Sequence, residues 1–253
     1  MFSKAIVRKP CENMVKGITS STLGLPNYQN ALKQHAEYIK ALEQCGLSVT
    51  ALEGAEEYPD SVFVEDTALL TPHCAVITNP GANSRKGEIA TIENAVKSFY
   101  TNIEHIQNPG TLDAGDVMMV GSHFYIGLSD RTNQEGANQL INILRKYGLN
   151  GSTVSLTTVL HLKTGVNYLE NNTLLASGEF LLKPEFKNFN IIKVPSDESY
   201  ASNSLWINDN VIVPKGFPKT LELIKNAGYK TIVVDVSEFR KLDGGLSCLS
   251  LRF

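Results

Sequence analysis

The 253 residues predict an α/β domain assembled from repeated units of strand, strand and helix. Three observations carry that reading. Two segments share one pattern of apolar runs and turn residues, looser copies of it recur at a near-regular interval, and no cluster of Pro, Gly or Ser breaks the chain as a linker would. With 42% hydrophobic residues there is enough apolar surface to close a core.

The modules are read in chain order. The first holds a strand at Ala5-Ile6-Val7 and a helix after Pro26, where Ala31, His35, Tyr38, Ile39 and Leu42 recur at helical spacing before a stop at Cys45-Gly46. The second opens at Glu65, with apolar runs at Thr67 to Leu70 and Ala75 to Thr78 and a helix around Ile89 to Tyr100. The third has Val117 to Val120, a Gly-Ser-His break, Phe124 to Gly127, and a helix from Asn133 to Tyr147. The fourth starts at Val166, with Asn167 to Leu169 and Thr173 to Ala176. The fifth has Leu205 to Ile207, a turn at Asn208-Asp209-Asn210, Val211 to Pro214, and a helix from Thr220 to Ala227.

The last four starting points, near 65, 115, 166 and 204, are 50, 51 and 38 residues apart, which suggests five modules in a single domain, 1–253. The final apolar strand after Cys248 is assigned to the fifth module. Modules set around an axis would gather the ends of their first strands at the centre, a natural pocket.

Charge and composition narrow the function. With 23 basic and 26 acidic residues the formal charge is -3, so no basic excess exists to bind nucleic acid phosphates. A small-molecule partner is expected. No stretch approaches the roughly 20 apolar residues of a membrane span. The Met1-Phe2-Ser3-Lys4 start lacks the charged and apolar blocks of a secretory signal, and a cytoplasmic protein is expected. The four cysteines, Cys11, Cys45, Cys74 and Cys248, have no CxxC spacing, so reduced thiols are expected, with neither staples nor a metal cage.

Several chemically capable residues fall at module entrances. Glu65-Asp66 opens the second module, and Asp113-Ala114-Gly115-Asp116 occupies the equivalent place in the third, so two modules aim acids at one centre. Acids gathered in a partly dry pocket repel one another unless a cation such as a guanidinium neutralises them. His161 stands before the fourth module, where a neutral imidazole could take and return a proton. A lone cysteine is more often a small buried hydrophobe, and Cys11, Cys45 and Cys74 are read that way. For Cys248 the preceding Asp243-Gly244-Gly245 turn argues for a reachable thiol. Arg85 and Arg131 lie between second strand and helix in two modules and as a pair could fork a carboxylate, although either alone reads as a solvated loop charge.

Taken together, these residues resemble a known family. Gly17-Ile18-Thr19-Ser20-Ser21, Asp60-Ser61-Val62-Phe63-Val64-Glu65-Asp66, Asp113-Ala114-Gly115-Asp116, Gly127 to Asn133, Leu160-His161-Leu162-Lys163 and Ser247-Cys248-Leu249-Ser250-Leu251-Arg252-Phe253 are similar to the dimethylarginine dimethylaminohydrolases of bacterial type, among the guanidino-group-modifying enzymes. The resemblance runs essentially end to end. It implies a five-bladed α/β propeller and hydrolysis of a methylated arginine to citrulline and a methylamine through a covalent cysteine adduct, with no metal or organic cofactor.

By the same resemblance Cys248 is the nucleophile and His161 the general acid and base. Asp113, counted with this catalytic set, holds the guanidinium with Asp66 and Glu65. Arg85 and Arg131 clamp the α-carboxylate, Phe63 packs on the guanidine plane, and Asp60 with the backbone near Ile18 and Leu242 secures the amino-acid end. Gly17 to Leu25 is expected to form a lid, and a homodimer stays open as an assembly. Close bacterial relatives often carry Glu where Asp113 stands, which bears on subtype more than on mechanism. Alternatives stay open: a citrulline ureidohydrolase could use the same residues, and a non-catalytic ribosome-binding propeller shares the fold. An arginine deiminase fits poorly, because Lys163 stands where those enzymes carry an acid.

Overall fold

The computed structural model describes residues 1–253. In the first module β1 (Lys4–Arg8) leads to α1 (Tyr28–Gln44) and β2 (Ser48–Leu52). The second has β3 (Ala68–Leu70), β4 (Ala75–Ile77), α2 (Ile89–Val96) and β5 (Ile103–His105). The third has β6 (Val117–Val120), β7 (His123–Leu128), α3 (Gln134–Lys146) and β8 (Asn150–Ser155). A short α4 (Leu162–Gly165) enters the fourth, with β9 (Val166–Tyr168), β10 (Thr173–Ala176) and β11 (Asn190–Lys193). The fifth has β12 (Leu205–Ile207), β13 (Asn210–Pro214), α5 (Pro218–Asn226) and β14 (Lys230–Val234), followed by α6 (Ser237–Arg240) and β15 (Leu251–Arg252).

These strands form five separate three-stranded sheets, and in each the middle strand runs antiparallel to one neighbour and parallel to the other. The middle strands β4 and β13 are apolar and buried throughout Ala75–Ile77 and Val211–Val213, as two-sided burial demands. The outer strands β2, β5 and β11 are half-exposed. Asparagines set two helix starts: Asn27 Oδ1 accepts from Asn30 N at 2.9 Å, and Asn133 Oδ1 from Gly136 N at 2.8 Å. No helix is long and apolar enough to cross a membrane.

Two features depart from the sequence reading. The fourth module has no long helix between β10 and β11. It has 3-10 turns at Gly178–Leu182 and Pro184–Phe186, whose Phe180 and Phe186 fill the space a helix face would otherwise cover. The expectation that the strand after Cys248 belongs to the fifth module is also corrected. β15 pairs antiparallel with β1, Ala5 opposite Arg252 and Ile6 opposite Leu251, so the chain's end completes the first sheet. The fifth sheet already has its three strands, while β1 would otherwise expose an unpaired edge.

The antiparallel outer strand of each sheet follows one short helical turn. These are Val64–Thr67 before β3, Ala114–Asp116 before β6, α4 before β9, Ser196–Ser202 before β12 and Ser247–Leu249 before β15. These turns bring the chemically capable residues together.

Candidate active site

Cys248, His161, Asp113, Asp66, Asp60, Phe63, Arg85, Arg131, Ile18 and Leu242 line one cleft, which also takes in Thr19, Ser20 and Asp243. Ten of the eleven residues singled out in the sequence therefore converge. Glu65 is the eleventh, and its carboxylate is taken up beneath the cleft. It accepts from Ser247 Oγ at 2.8 Å and from Arg252 Nη2 at 2.9 Å, and pairs with Lys163 Nζ at 2.7 Å. Glu65, Lys163, His161 and Cys248 together line a smaller recess under the cleft.

The nucleophile turn is pinned from two sides. Tyr38, fully buried on α1, donates its hydroxyl to Leu246 O at 2.8 Å, and Arg252 Nη1 donates to Ser247 O at 3.0 Å. Gly245 N donates to Cys248 Sγ at 3.4 Å. Phe63 and Gly244 pack so closely that a Cβ on Gly244 would lie 2.5 Å from Phe63 Cζ, so glycine is required there.

The imidazole sits among three acids. His161 Nε2 is 3.1 Å from Asp113 Oδ2, Nδ1 is 3.9 Å from Asp66 Oδ1, and the next residue's amide, Leu162 N, donates to Asp116 Oδ1 at 2.9 Å. Burial pulls His161 down, but Asp66, the Asp113 hydrogen bond and Asp116 outweigh it and hold the imidazole at about 9. Cys248 moves the other way. Burial and the charges of Glu65 and Asp66 push its thiol up to about 12, against the opposing influence of Gly245 N–H and Lys163. At neutral pH the resting site therefore holds an imidazolium beside a neutral thiol, in a pocket rich in carboxylate.

The arginines differ. Arg85 is buried, bonded through Nη1 to Asp66, through Nε and Nη2 to Glu88 at 2.9 and 2.8 Å, and through Nη2 to Phe63 O at 2.8 Å. Arg131 lines the cleft with its guanidinium unpaired by any acid of the chain, and its loop is set by Ser129, whose Oγ accepts from Arg131 N at 3.0 Å and donates to Asp116 Oδ2 at 2.6 Å. Of the pair expected to clamp a carboxylate, Arg131 has donors to spare and Arg85 is committed to holding Asp66. Ile18 N donates to Asp60 Oδ1 at 3.0 Å, while Thr19 Oγ1 donates to Lys241 O at 2.9 Å and Ser20 N to Asp243 Oδ2 at 2.6 Å. These bonds fasten Ile18, Thr19 and Ser20 along the cleft, within the segment expected to form a lid.

Asp66, Asp113 and His161 bring one ligand atom each within 4.8 Å of one another. All three are committed to the hydrogen bonds above, and the same acids suit a planar organic cation through several N–H donors at once.

Asp116 and Glu88 carry roles the sequence reading did not assign. Asp116 joins the peptide after His161 to the Arg131 loop, and the repeated acid in Asp113-Ala114-Gly115-Asp116 was the visible signal. Glu88 holds Arg85 three residues away, but the 3-10 turn at Asn83–Glu88 that aligns them has no periodic signature.

Two expected results follow from this geometry. A Cβ at Gly115 would lie 2.6 Å from Asp66 Oδ1 and 2.9 Å from His161 Nδ1. Gly115→Ala should therefore displace the imidazole and cut kcat by about tenfold or more with little change in the thermal midpoint; steady-state kinetics and calorimetry check both halves. Because the thiol is held high, alkylation of Cys248 by neutral iodoacetamide should still be rising at about pH 10. A rate that plateaus near neutrality would contradict a protonated resting thiol.

A five-sheet ring with cysteine, histidine and acids at its centre is the five-bladed α/β propeller of the guanidino-group-modifying enzymes. A family model described as N,N dimethylarginine dimethylhydrolase, eukaryotic, matches residues 22–180. The N(G),N(G)-dimethylarginine dimethylaminohydrolase of Pseudomonas aeruginosa is 58% identical over 254 residues, covering 100% of both chains. A structure of a Pseudomonas aeruginosa dimethylarginine dimethylaminohydrolase mutant complexed with citrulline matches with TM-score 0.99 and 57% identity over 100% of both chains. So does a dimethylarginine dimethylaminohydrolase adduct with S-methyl-L-thiocitrulline, again at TM-score 0.99, 57% identity and 100% of both chains. The chain belongs to the dimethylarginine dimethylaminohydrolase family.

Proposed function

We propose that this chain hydrolyses Nω-methylated arginines to citrulline and a methylamine, with residues 1–253 acting as one domain. The observation that carries the reading is the meeting of Cys248, the His161–Asp113 pair, Asp66 and the unpaired Arg131 in one cleft. The relatives named above, with citrulline or a thiocitrulline in place, support the same chemistry. The first four sheets contribute Cys248, Asp66, Asp113 and His161, which supports a single functional unit.

The substrate's α-carboxylate meets Arg131, with the buried charge of Arg85 behind it, and its ammonium end meets Asp60 and the backbone near Ile18 and Leu242. The guanidinium lies against Phe63 with its N–H groups toward Asp66 and Asp113, and Glu65 adds negative charge from below. Arrival of this cation reverses the electrostatics that hold the Cys248 thiol neutral, so the thiol gives its proton to solvent and the thiolate forms when the electrophile is in place. Sγ adds to the guanidino carbon, His161 gives its proton to the departing methylated nitrogen, and a thiouronium remains on Cys248. His161, now neutral, takes a proton from water, which attacks the same carbon. The carbon–sulfur bond breaks, the new hydroxyl gives its proton to the departing sulfur, and citrulline leaves with the thiol and the imidazolium restored. No step draws on a cofactor.

The citrulline ureidohydrolase alternative is not favoured, because a neutral ureido group gives Asp66 and Asp113 no cation to pair. The test is a product panel with asymmetric dimethylarginine, monomethylarginine, arginine and citrulline. Citrulline should form from the methylated arginines with one methylamine each; ornithine from citrulline, with methylated arginines untouched, would overturn the assignment.

A further inference from the structure

Below the cleft four residues form a closed ring of hydrogen bonds. Lys163 Nζ pairs with Glu65 Oε1 at 2.7 Å, Ser247 Oγ donates to Glu65 Oε2 at 2.8 Å, Ser247 N donates to Asn203 Oδ1 at 2.9 Å, and Asn203 Nδ2 donates to Lys163 O at 2.9 Å. Asn203 Nδ2 also reaches Ser247 Oγ at 3.0 Å. The four come from the entrances of four different modules: Glu65 before β3, Lys163 on α4 before β9, Asn203 before β12 and Ser247 before β15. All four are buried and line the recess under Cys248 and His161.

Asn203 has a particular place in the ring. Ser247 is covalently next to Cys248, and Lys163 is two residues from His161, so a single amide ties the nucleophile's turn to the acid–base residue's helix. These two turns belong to different sheets and share no strand ladder. The amide's close approach depends on a glycine, because a Cβ on Gly245 would lie 2.5 Å from Asn203 Cγ and 2.6 Å from Oδ1. That same Gly245 gives its N–H to Cys248 Sγ. The neighbouring Asn167 repeats the device on one side, donating to Lys163 O at 2.7 Å and to Ser202 O at 2.8 Å, which keeps the Asn203 turn seated on α4.

We infer that Asn203 is a positioning residue which, by joining Ser247 to the Lys163 carbonyl, sets Cys248 against His161 for the reaction. It touches neither substrate nor the reacting atoms and acts only through its two partners. The inference rests on the reading of Cys248 and His161 as nucleophile and acid–base residue. Losing the amide leaves the two turns joined only through Glu65 and the flexible Lys163 side chain, so they can shift relative to each other, and such small displacements lower the chemical step far more than substrate binding, which is organised at the other end of the cleft by Arg131 and Asp60.

The experiment compares Asn203→Ala and the near-isosteric Asn203→Asp, which keeps an acceptor for Ser247 N–H and loses the donor to Lys163 O. The readouts are kcat and KM for dimethylarginine and the alkylation rate of Cys248 by 2-chloroacetamidine, a cationic amidine. Asn203→Ala should lose about a hundredfold in kcat and Asn203→Asp about tenfold, each with KM within about threefold of wild type. Alkylation should slow in the same order. A folded variant that keeps kcat and alkylation rate within about threefold, or one whose loss falls in KM alone, overturns the inference. Should Asn203→Ala not fold, Asn203→Asp is judged by the same criteria. If the wild-type protein itself releases no citrulline from dimethylarginine, the functional reading fails, and the alkylation rates still decide whether Asn203 positions the thiol.

Discussion

Serine at position 248 is expected to lower kcat for a methylated arginine by about 10⁴-fold or more while leaving the fold and much of the substrate binding intact. The size of the loss comes from the site's protonation state. In a serine hydrolase a neutral imidazole removes the hydroxyl proton. Here the acids around His161 hold it protonated at about 9, so no base waits for an alcohol. A thiol can still ionise when the guanidinium arrives, because its proton is far weaker bound than that of a hydroxyl. The substitution disturbs little else, since Cys248 Sγ meets only Gly245 N among hydrogen-bonding groups and the side chain is half-buried. Citrulline release followed by colorimetry, with a thermal midpoint as the folding control, checks the result. A folded variant retaining more than about one hundredth of wild-type kcat would remove Cys248 from the nucleophile's role.

Arg85→Met should destabilise the protein by about 3–5 kcal/mol, because it leaves two buried carboxylates without their shared cation. Arg85 holds Asp66 on one side and Glu88 on the other, and all three side chains are no more than 7% exposed. Methionine keeps most of the volume, so the loss reads charge and hydrogen bonding more than packing. Burial already raises the Glu88 carboxyl, and without Arg85 it rises further. A group whose folded pKa lies above its unfolded value favours folding most when protonated. The destabilisation should therefore shrink as pH falls through the carboxylate range and be greatest near neutrality. Urea unfolding of both proteins at about pH 5 and pH 7.5 tests this; an equal deficit at the two values would assign Arg85 a packing role only.

The five modules were legible because their signals are local. Apolar runs, turn residues and asparagine caps repeat within each, and the entrance acids repeat with them. What stayed hidden depends on partners far along the chain. Glu65 reads as a companion of Asp66, yet the groups that saturate it, Ser247 and Arg252, lie 182 and 187 residues away. Arg85 and Arg131 look equivalent by position, and only the buried Glu88 and Asp66 separate a committed guanidinium from an available one. The place of β15 in the first sheet has no local signal, because its pairing with β1 joins the two ends of the chain. Asn203 sits at a module entrance as Asp66, Asp113 and His161 do, but a neutral amide between two serines reads as an ordinary turn, and only its partners Ser247 and Lys163, 44 and 40 residues away, give it a role.

On this mechanism the guanidino carbon passes through a bond to Cys248. The direct measurement is intact and peptide mass spectrometry of the protein acid-quenched during steady-state turnover of dimethylarginine. A mass gain equal to the substrate less dimethylamine is expected on the peptide holding Cys248 and is expected to be absent from Cys248→Ser. Continued turnover with that peptide unmodified, or an adduct on another residue, would contradict it.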